Sequence, residues 1–204
     1  FYESAGRYGQ SSLRLVDIET GHILRQQAVP PQYFAEGLTL LDDKLIQITW
    51  REATALVYNR DDFQPIATFT YEGEGWGLCY DGERVYMSDG SATLTVRDPL
   101  TFAPQRTILV TAFGQPIVRL NELECVGDSV YANIWFSDVI LRIDKQTGAV
   151  TAIIDASELL PSQERAVMET GAVLNGIAYH PERGTFFITG KLWSKVFEVN
   201  FVPQ

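Results

Sequence analysis

The residues with the clearest chemical potential in this sequence occupy equivalent positions of an internal repeat. The set combines one carboxylate, one amine, two side-chain amides and three indoles: Glu36, Lys191, Asn121, Asn175, Trp50, Trp76 and Trp135. A carboxyl group can accept and return a proton during a reaction. An amine or an amide can donate hydrogen bonds to an oxygen that becomes negative, and indoles provide rigid apolar walls. These types define a candidate site, but not by themselves a reaction.

The repeat that positions these residues contains four aligned segments, which begin at Glu36, Trp76, Asn121 and Asn175. Each segment has a short apolar strand, a polar turn and a second strand, and a third and a fourth strand are predicted to follow. The segments start 40, 45 and 54 residues apart. The longest interval contains a predicted helical insertion near 157–170.

Four strands per unit at this spacing are typical of a β-propeller blade. Residues 1–29 supply the last part of a fifth unit, with its third and fourth strands predicted at 12–17 and 22–28. We therefore predict an all-β, five-bladed β-propeller with four-stranded antiparallel blades, and a single domain over residues 1–204. The first strand of blade one is expected to lie before Phe1.

The blade plan predicts that the candidate residues converge. The first two strands of a blade form an antiparallel hairpin, so the start of one lies beside the end of the other. The second strands are predicted to end at Trp50, at Asp89 or Gly90, at Trp135 and at Lys191. If every blade points its hairpin the same way, these residues and the four segment starts surround one mouth of the central channel. Three of the four tryptophans fall on these positions.

Composition argues against several classes of function. The net charge of -10 disfavours nucleic acid, because that binding requires a basic surface. No apolar stretch approaches the roughly 18 residues of a membrane-spanning helix. Two scattered histidines, His22 and His180, do not suggest a zinc site. Cys79 and Cys125 are interpreted as buried thiols, although a disulfide remains open.

Several blocks of the sequence resemble the glutamine cyclotransferase family, the plant and bacterial type of glutaminyl cyclase. They follow one another through every blade in the expected order. The blocks are YESAGRYGQSSLR (2–14), YFAEGLT (33–39), QITW (47–50), EGWGL (74–78), MSDGS (87–91), LNELE (120–124), YANIW (131–135), LNGIAY (174–179) and TGKLW (189–193). The resemblance implies a propeller that closes an N-terminal glutamine into pyroglutamate and releases ammonia, without a metal or other cofactor. An FTQGL-like block of the family is absent from this sequence.

The resemblance also implies roles for individual residues. We expect Glu36 to move the proton from the attacking amine to the leaving nitrogen, with a pKa raised by burial and by neighbouring indoles. Lys191 and Asn121 would donate hydrogen bonds to the oxyanion. The three tryptophans would wall the pocket. Further substrate contacts are predicted for Gln47, Asn175 and Asp89.

Two other readings remain open at this point. A non-catalytic propeller could bind peptide N-termini at the same mouth. A metal-dependent propeller hydrolase would need several carboxylates and amides around a cation, whereas Glu36 stands mostly alone beside a lysine. The expected partners are peptides or proteins with an N-terminal glutamine, and neither nucleic acid nor a membrane. A monomer is expected, and a periplasmic or secreted location because relatives are commonly exported.

Overall fold

A computed structural model describes residues 1–202 of the chain, and its regular structure is almost entirely antiparallel β-sheet. The first sheet contains β1 (Tyr2–Ala5), β2 (Ser12–Val16) and β3 (Ile23–Ala28). The second contains β4 (Ala35–Leu41), β5 (Lys44–Thr49), β6 (Thr54–Asn59) and β7 (Pro65–Thr70). The third contains β8 (Leu78–Tyr80), β9 (Val85–Met87), β10 (Thr93–Arg97) and β11 (Pro104–Leu109).

The remaining elements follow the same order along the chain. A two-stranded ribbon, which the repeat did not predict, contains β12 (Thr111–Ala112) and β13 (Gln115–Pro116). The fourth large sheet contains β14 (Leu120–Val126), β15 (Ser129–Ile134), β16 (Val139–Asp144) and β17 (Val150–Asp155). After the short helix α1 (Ser162–Arg165), the fifth contains β18 (Val173–His180), β19 (Thr185–Lys191) and β20 (Phe197–Val199).

These five sheets confirm the predicted fold class, a five-bladed β-propeller with almost no helix. The predicted strands at 12–17 and 22–28 are β2 and β3. Of the insertion predicted near 157–170, only the four residues of α1 are α-helical. So short a segment forms few intrahelical hydrogen bonds and depends on its packing.

Residues 1–202 form two compact units. The first comprises residues 1–89 and 95–107, and the second comprises residues 90–94 and the chain from Ile108 onward. Within a blade, burial falls from the inner to the outer strands. In β5 five of six residues are buried, whereas most of β7 is exposed. A strand that is apolar on both faces must be covered on both faces, so the second strand lies inside its unit.

The turn between the third and fourth strands is built alike in three blades. One oxygen of Asp17 accepts hydrogen bonds from the N–H and the hydroxyl of Thr20, both at 2.8 Å. The pairs Asp98–Thr101 and Asp144–Thr147 repeat this geometry at 2.8–3.0 Å. These hydrogen bonds lower the pKa of all three aspartates. Backbone hydrogen bonds close the same turns, such as that from Gly21 N–H to the carbonyl of Asp17 at 2.8 Å, so each turn is held by local contacts.

The interpretation of the two cysteines as thiols is wrong. Cys79 in β8 and Cys125 in β14 are both disulfide-bonded, so neither is a free thiol. Both lie on the first strand of a blade, in equivalent strands of different repeats. Separation along the sequence does not report distance in a repeat fold, which is why the spacing of the cysteines misled the prediction.

Within residues 1–202, no helix has the length and apolar character needed to cross a membrane.

Candidate active site

Three of the four candidate residues at the blade starts lie on repeated β-bulges. Ala35 pairs with Thr49 and Leu38 with Gln47, so Glu36 and the glycine after it oppose one residue of β5. The same irregularity places Asn121 in β14 and Asn175 in β18. In the third sheet, Trp76 N–H donates to the carbonyl of Ser88 at 3.1 Å, and Ser88 N–H donates to the carbonyl of Gly77 at 3.1 Å.

The bulges correct the expectation that these residues precede the first strand. Glu36, Asn121 and Asn175 lie inside β4, β14 and β18, and only Trp76 precedes its strand. A bulge breaks the strict alternation of side chains and re-aims one of them, which is why bulges recur beside active sites. The blades that begin with β4, β14 and β18 therefore each present one side chain that a regular pleat would not.

In the first unit, a carboxylate that the repeat did not predict holds two of the candidate indoles. Oε2 of Glu74 accepts hydrogen bonds from the indole N–H of Trp50 at 2.8 Å and of Trp76 at 2.9 Å. Oε1 accepts a hydrogen bond from Arg51 at 3.2 Å, and the Arg51 guanidinium lies 3.6 Å from the centre of the Trp50 ring. Glu74 thus fixes the orientation of both partly buried indoles.

The same contacts set the charge of Glu74. Its partial burial opposes ionisation, but the hydrogen bonds from Trp76, Trp50 and Arg51 outweigh it and hold the pKa of Glu74 below its usual value. The carboxylate is therefore ionised at neutral pH, and its hydrogen bonds with the indoles are charge-assisted.

Aromatic contacts extend this wall towards Glu36. The ring of Phe34 packs edge-on against Trp50 at 5.7 Å, and the ring of Tyr8 packs against Phe34 at 5.2 Å. The Tyr8 hydroxyl donates to Glu52 at 2.8 Å. This hydrogen bond raises the pKa of Tyr8, and the charge of Glu36 acts in the same direction. Glu36 itself is partly buried.

In the second unit, Lys191 and Trp135 come together. The Lys191 ammonium lies 5.7 Å from the centre of the Trp135 ring, within range of a cation–π interaction. Lys191 ends β19, as predicted, whereas Trp135 directly follows the last residue of β15. Trp135 is anchored through its backbone N–H, which donates to the carbonyl of Arg119 at 2.9 Å. Asn121 is 3% exposed at the bulge of β14.

Two further contacts tie β18 to the preceding sheet of the second unit. Oδ1 of the buried Asn133 accepts a hydrogen bond from the N–H of Gly176 at 3.0 Å, directly after Asn175. Glu124 accepts one from the N–H of Tyr179 at 3.2 Å. Burial raises the pKa of Glu124 to about 7, although that hydrogen bond acts in the opposite direction. Asn175 is therefore held on a bulge that the preceding sheet supports.

The remaining predicted binding residues have different surroundings. Gln47 is fully buried in the first unit, and its amide nitrogen donates to Ser4 Oγ at 2.8 Å and to the carbonyl of Ser12 at 3.4 Å. That amide group thus connects β5 to the first sheet. Asp89 is exposed, two residues after β9, and its charge acts on Arg97. Contact of either residue with a substrate stays a prediction.

Four side chains of the first unit were missed by the sequence analysis: Tyr8, Phe34, Glu52 and Glu74. Three of them lie in the quoted blocks, but none occupies a repeat position compared between blades. Glu74 lies in the connection between β7 and β8. Its position two residues before Trp76 was the available signal, since a carboxylate beside an indole can accept its N–H. Within residues 1–202, no group of three or more His, Cys, Asp or Glu side chains is placed to hold a metal ion.

The chain belongs to the glutamine cyclotransferase family, whose sequence profile matches residues 1–201. A curated relative, glutaminyl-peptide cyclotransferase of Arabidopsis thaliana, is 37% identical over 97% of this chain. The chain spans 62% of the length of that relative.

Solved structures agree with this assignment. The glutaminyl cyclase of Myxococcus xanthus is 40% identical, with a TM-score of 0.91 over 98% of this chain and 85% of that one. Hydrazine synthase of Kuenenia stuttgartiensis, 16% identical with a TM-score of 0.52, covers 88% of this chain and 49% of its own, and shares only the fold.

Proposed function

We propose that this protein is a glutaminyl-peptide cyclotransferase, which converts the N-terminal glutamine of peptides or proteins to pyroglutamate and releases ammonia. The observation that carries the proposal is the 37% identity to a glutaminyl-peptide cyclotransferase over 97% of the chain. The geometry within each unit supports it, because it supplies the types of side chain that the reaction requires.

The reaction needs two proton transfers around one carbonyl carbon. The free α-amine attacks the γ-carbonyl of the glutamine side chain, a C–N bond forms, and the amide nitrogen leaves as ammonia. The attacking nitrogen loses a proton and the leaving nitrogen gains one. We assign both transfers to Glu36, which a bulge presents beside aromatic side chains.

Charge develops on the γ-oxygen when the tetrahedral intermediate forms. We assign its stabilisation to two donors of the second unit, Lys191 at the end of β19 and Asn121 near the start of β14. Trp50, Trp76 and Trp135 would form apolar walls that hold the glutamine in its folded conformation. Glu74 would keep the first two of them in place.

Ammonia release from a glutamine-initiated dipeptide tests this function directly. Gln-Ala should release ammonia and yield the pyroglutamyl product, whereas Asn-Ala and N-acetylated Gln-Ala should not. Binding of Gln-Ala without any release would favour the non-catalytic peptide binder instead. Turnover that disappears with a chelator and returns with a divalent cation would favour the metal-dependent propeller.

The disulfide-bonded state of Cys79 and Cys125 supports a location in an oxidising compartment, such as the periplasm or the extracellular space. Equilibrium with glutathione buffers, followed by thiol labelling, would test this. A bond that is reduced under cytosolic redox conditions would contradict the proposed location.

A further inference from the structure

The second unit contains a cavity that the proposed reaction does not use. Its volume is about 260 Å³, and it lies between the insertion that carries α1 and the ends of β18 and β19. This is smaller than the roughly 300–1,000 Å³ of pockets for drug-sized ligands. The cavity therefore suits one side chain of a larger ligand.

A chain of contacts joins this cavity to the predicted substrate walls. Phe136 lines the cavity, and its ring packs edge-on against Trp135 at 4.8 Å between centres. Trp135 in turn lies beneath the ammonium of Lys191 at 5.7 Å. Val173, another lining residue, is the strand partner of Lys191. A peptide bound at Trp135 and Lys191 would have the cavity beside it.

Packed apolar side chains form part of the cavity lining, beside its polar residues. Leu160 and Leu174 are 3% and 1% exposed. Trp193 packs so closely on Gly190 that a methyl group there would lie 2.4 Å from the indole. Such a surface can cover the aliphatic part of a long side chain.

Charge at the cavity is unbalanced. Arg165 binds both oxygens of Asp138 at 3.0 and 2.9 Å and donates to the carbonyls of Leu160 and Ser157, so this pair is neutral and fixed. Glu169 is the third charged lining residue and is exposed. Within residues 1–202 its carboxylate makes no hydrogen bond or ion pair. The cavity therefore presents one uncompensated negative charge near the apolar side chains of Phe136 and Trp193.

We propose that this cavity binds the side chain of a lysine or arginine at one of the two positions that follow the glutamine of the substrate. This inference rests on the proposed function. The aliphatic stem would pack on Trp193 and Phe136, and the cation would face Glu169. An extended chain advances about 3.3–3.6 Å per residue, so one or two residues bridge the step from Trp135 to Phe136.

Matched peptides test the subsite. Ammonia release is measured for Gln-Lys-Ala and Gln-Ala-Lys, and for the same peptides with Glu in place of Lys, to obtain kcat/KM ratios. Glu169→Lys should reduce the preference for Lys over Glu by about tenfold, because it removes an attraction and adds a repulsion, each worth up to about fivefold at an accessible site.

Glu158→Lys is the matched control, because Glu158 is also exposed on the insertion but does not line the cavity, and the change in net charge is the same. It should leave the preference within about twofold. Equal effects of the two variants would mean that only the overall charge matters and would overturn the subsite. Ammonia release from none of the peptides would instead overturn the proposed function, and the subsite with it.

Discussion

Two repeated features of the blades differ in how their residues vary. These are the turns between the third and fourth strands and the bulges at the start of the first strands. In three blades the turns repeat one aspartate, one threonine and the same hydrogen bonds. The bulges repeat their backbone geometry but not one side chain, because β4 presents a glutamate whereas β14 and β18 each present an asparagine.

This difference separates stability from chemistry within one repeat. A turn that must only reverse the chain can reuse one good local solution, and three of the blades do so. A site needs several different groups, so the equivalent positions cannot all carry the same side chain even though the backbone repeats. Divergence at a repeated backbone feature is thus a physical marker of a site.

Of the substitutions at the bulges and at the turns, Glu36→Gln at the bulge of β4 should have the largest effect. Glutamine is nearly isosteric but cannot take up the proton, so kcat for ammonia release should fall by about 10²–10⁴. Unchanged circular dichroism and Tm would show that the variant is folded. Near-normal turnover would remove Glu36 from the mechanism.

Glu124 tests whether every carboxylate near a bulge takes part in the reaction. It is three residues from Asn121, but it accepts a backbone hydrogen bond from β18 and its pKa is raised to about 7 from an ordinary 4.5. The unfolded chain therefore ionises first as pH rises, and the stability from this group is lost between about pH 4.5 and 7.

Glu124→Gln should accordingly remove about 1–3 kcal/mol of the fall in unfolding free energy between pH 5 and 8. Denaturant unfolding of both proteins at each pH measures this. At the pH of the assay kcat should stay within about threefold, since the effect is on stability. A large loss of kcat with an unchanged pH profile would assign Glu124 to the site instead.

Glu74→Ala should reduce activity less than Glu36→Gln does. Loss of the shared acceptor frees the indoles of Trp50 and Trp76, so kcat/KM should fall about tenfold and tryptophan emission should shift. Glu74→Gln retains one acceptor oxygen and should recover part of the loss. If the two variants have equal activity and wild-type emission, Glu74 does not position the indoles.

The smallest effect is expected at the repeated turns. Asp144→Ala removes the hydrogen bonds to Thr147 at an exposed position, so Tm should fall slightly and kcat should stay within about twofold. Thermal unfolding and the ammonia assay check both quantities. Loss of activity without loss of stability would contradict the distinction between the turns, which stabilise the blades, and the bulges, which carry the candidate site.

The sequence predicted the features that repeat. The polar pairs Asp42-Asp43 and Gly127-Asp128 are turns in the structure, as their position between two apolar runs indicates. The alignment of the repeat also predicted the end of β19 at Lys191, and it placed the end of β15 one residue too late, at Trp135. The repeat period and the pattern of apolar and polar residues thus suffice to predict the blades, their turns and the side chains near the strand ends.

Features that depend on pairing between distant strands were not predictable. The bulge at Glu36 appears only when β4 is aligned residue by residue with β5, since the sequence alone does not fix that register. Glu74 lies outside the repeat and acquires its role from the approach of two indoles. The bonding of Cys79 depended on distances that a period of 40 residues or more does not reveal.

The bulges in β4 and β18 also limit which substitutions their residues can accept in evolution. A side chain at position 37 would meet the backbone of Leu78 at 2.6 Å, and Gly176 has a φ of 140°, which other residues rarely adopt. The second residue of these two bulges is therefore confined to glycine, and only the first can vary. Each of these two bulges therefore has a single position that can accept different residues. New specificities on this scaffold are expected through substitution at positions 36 and 175 or through longer loops.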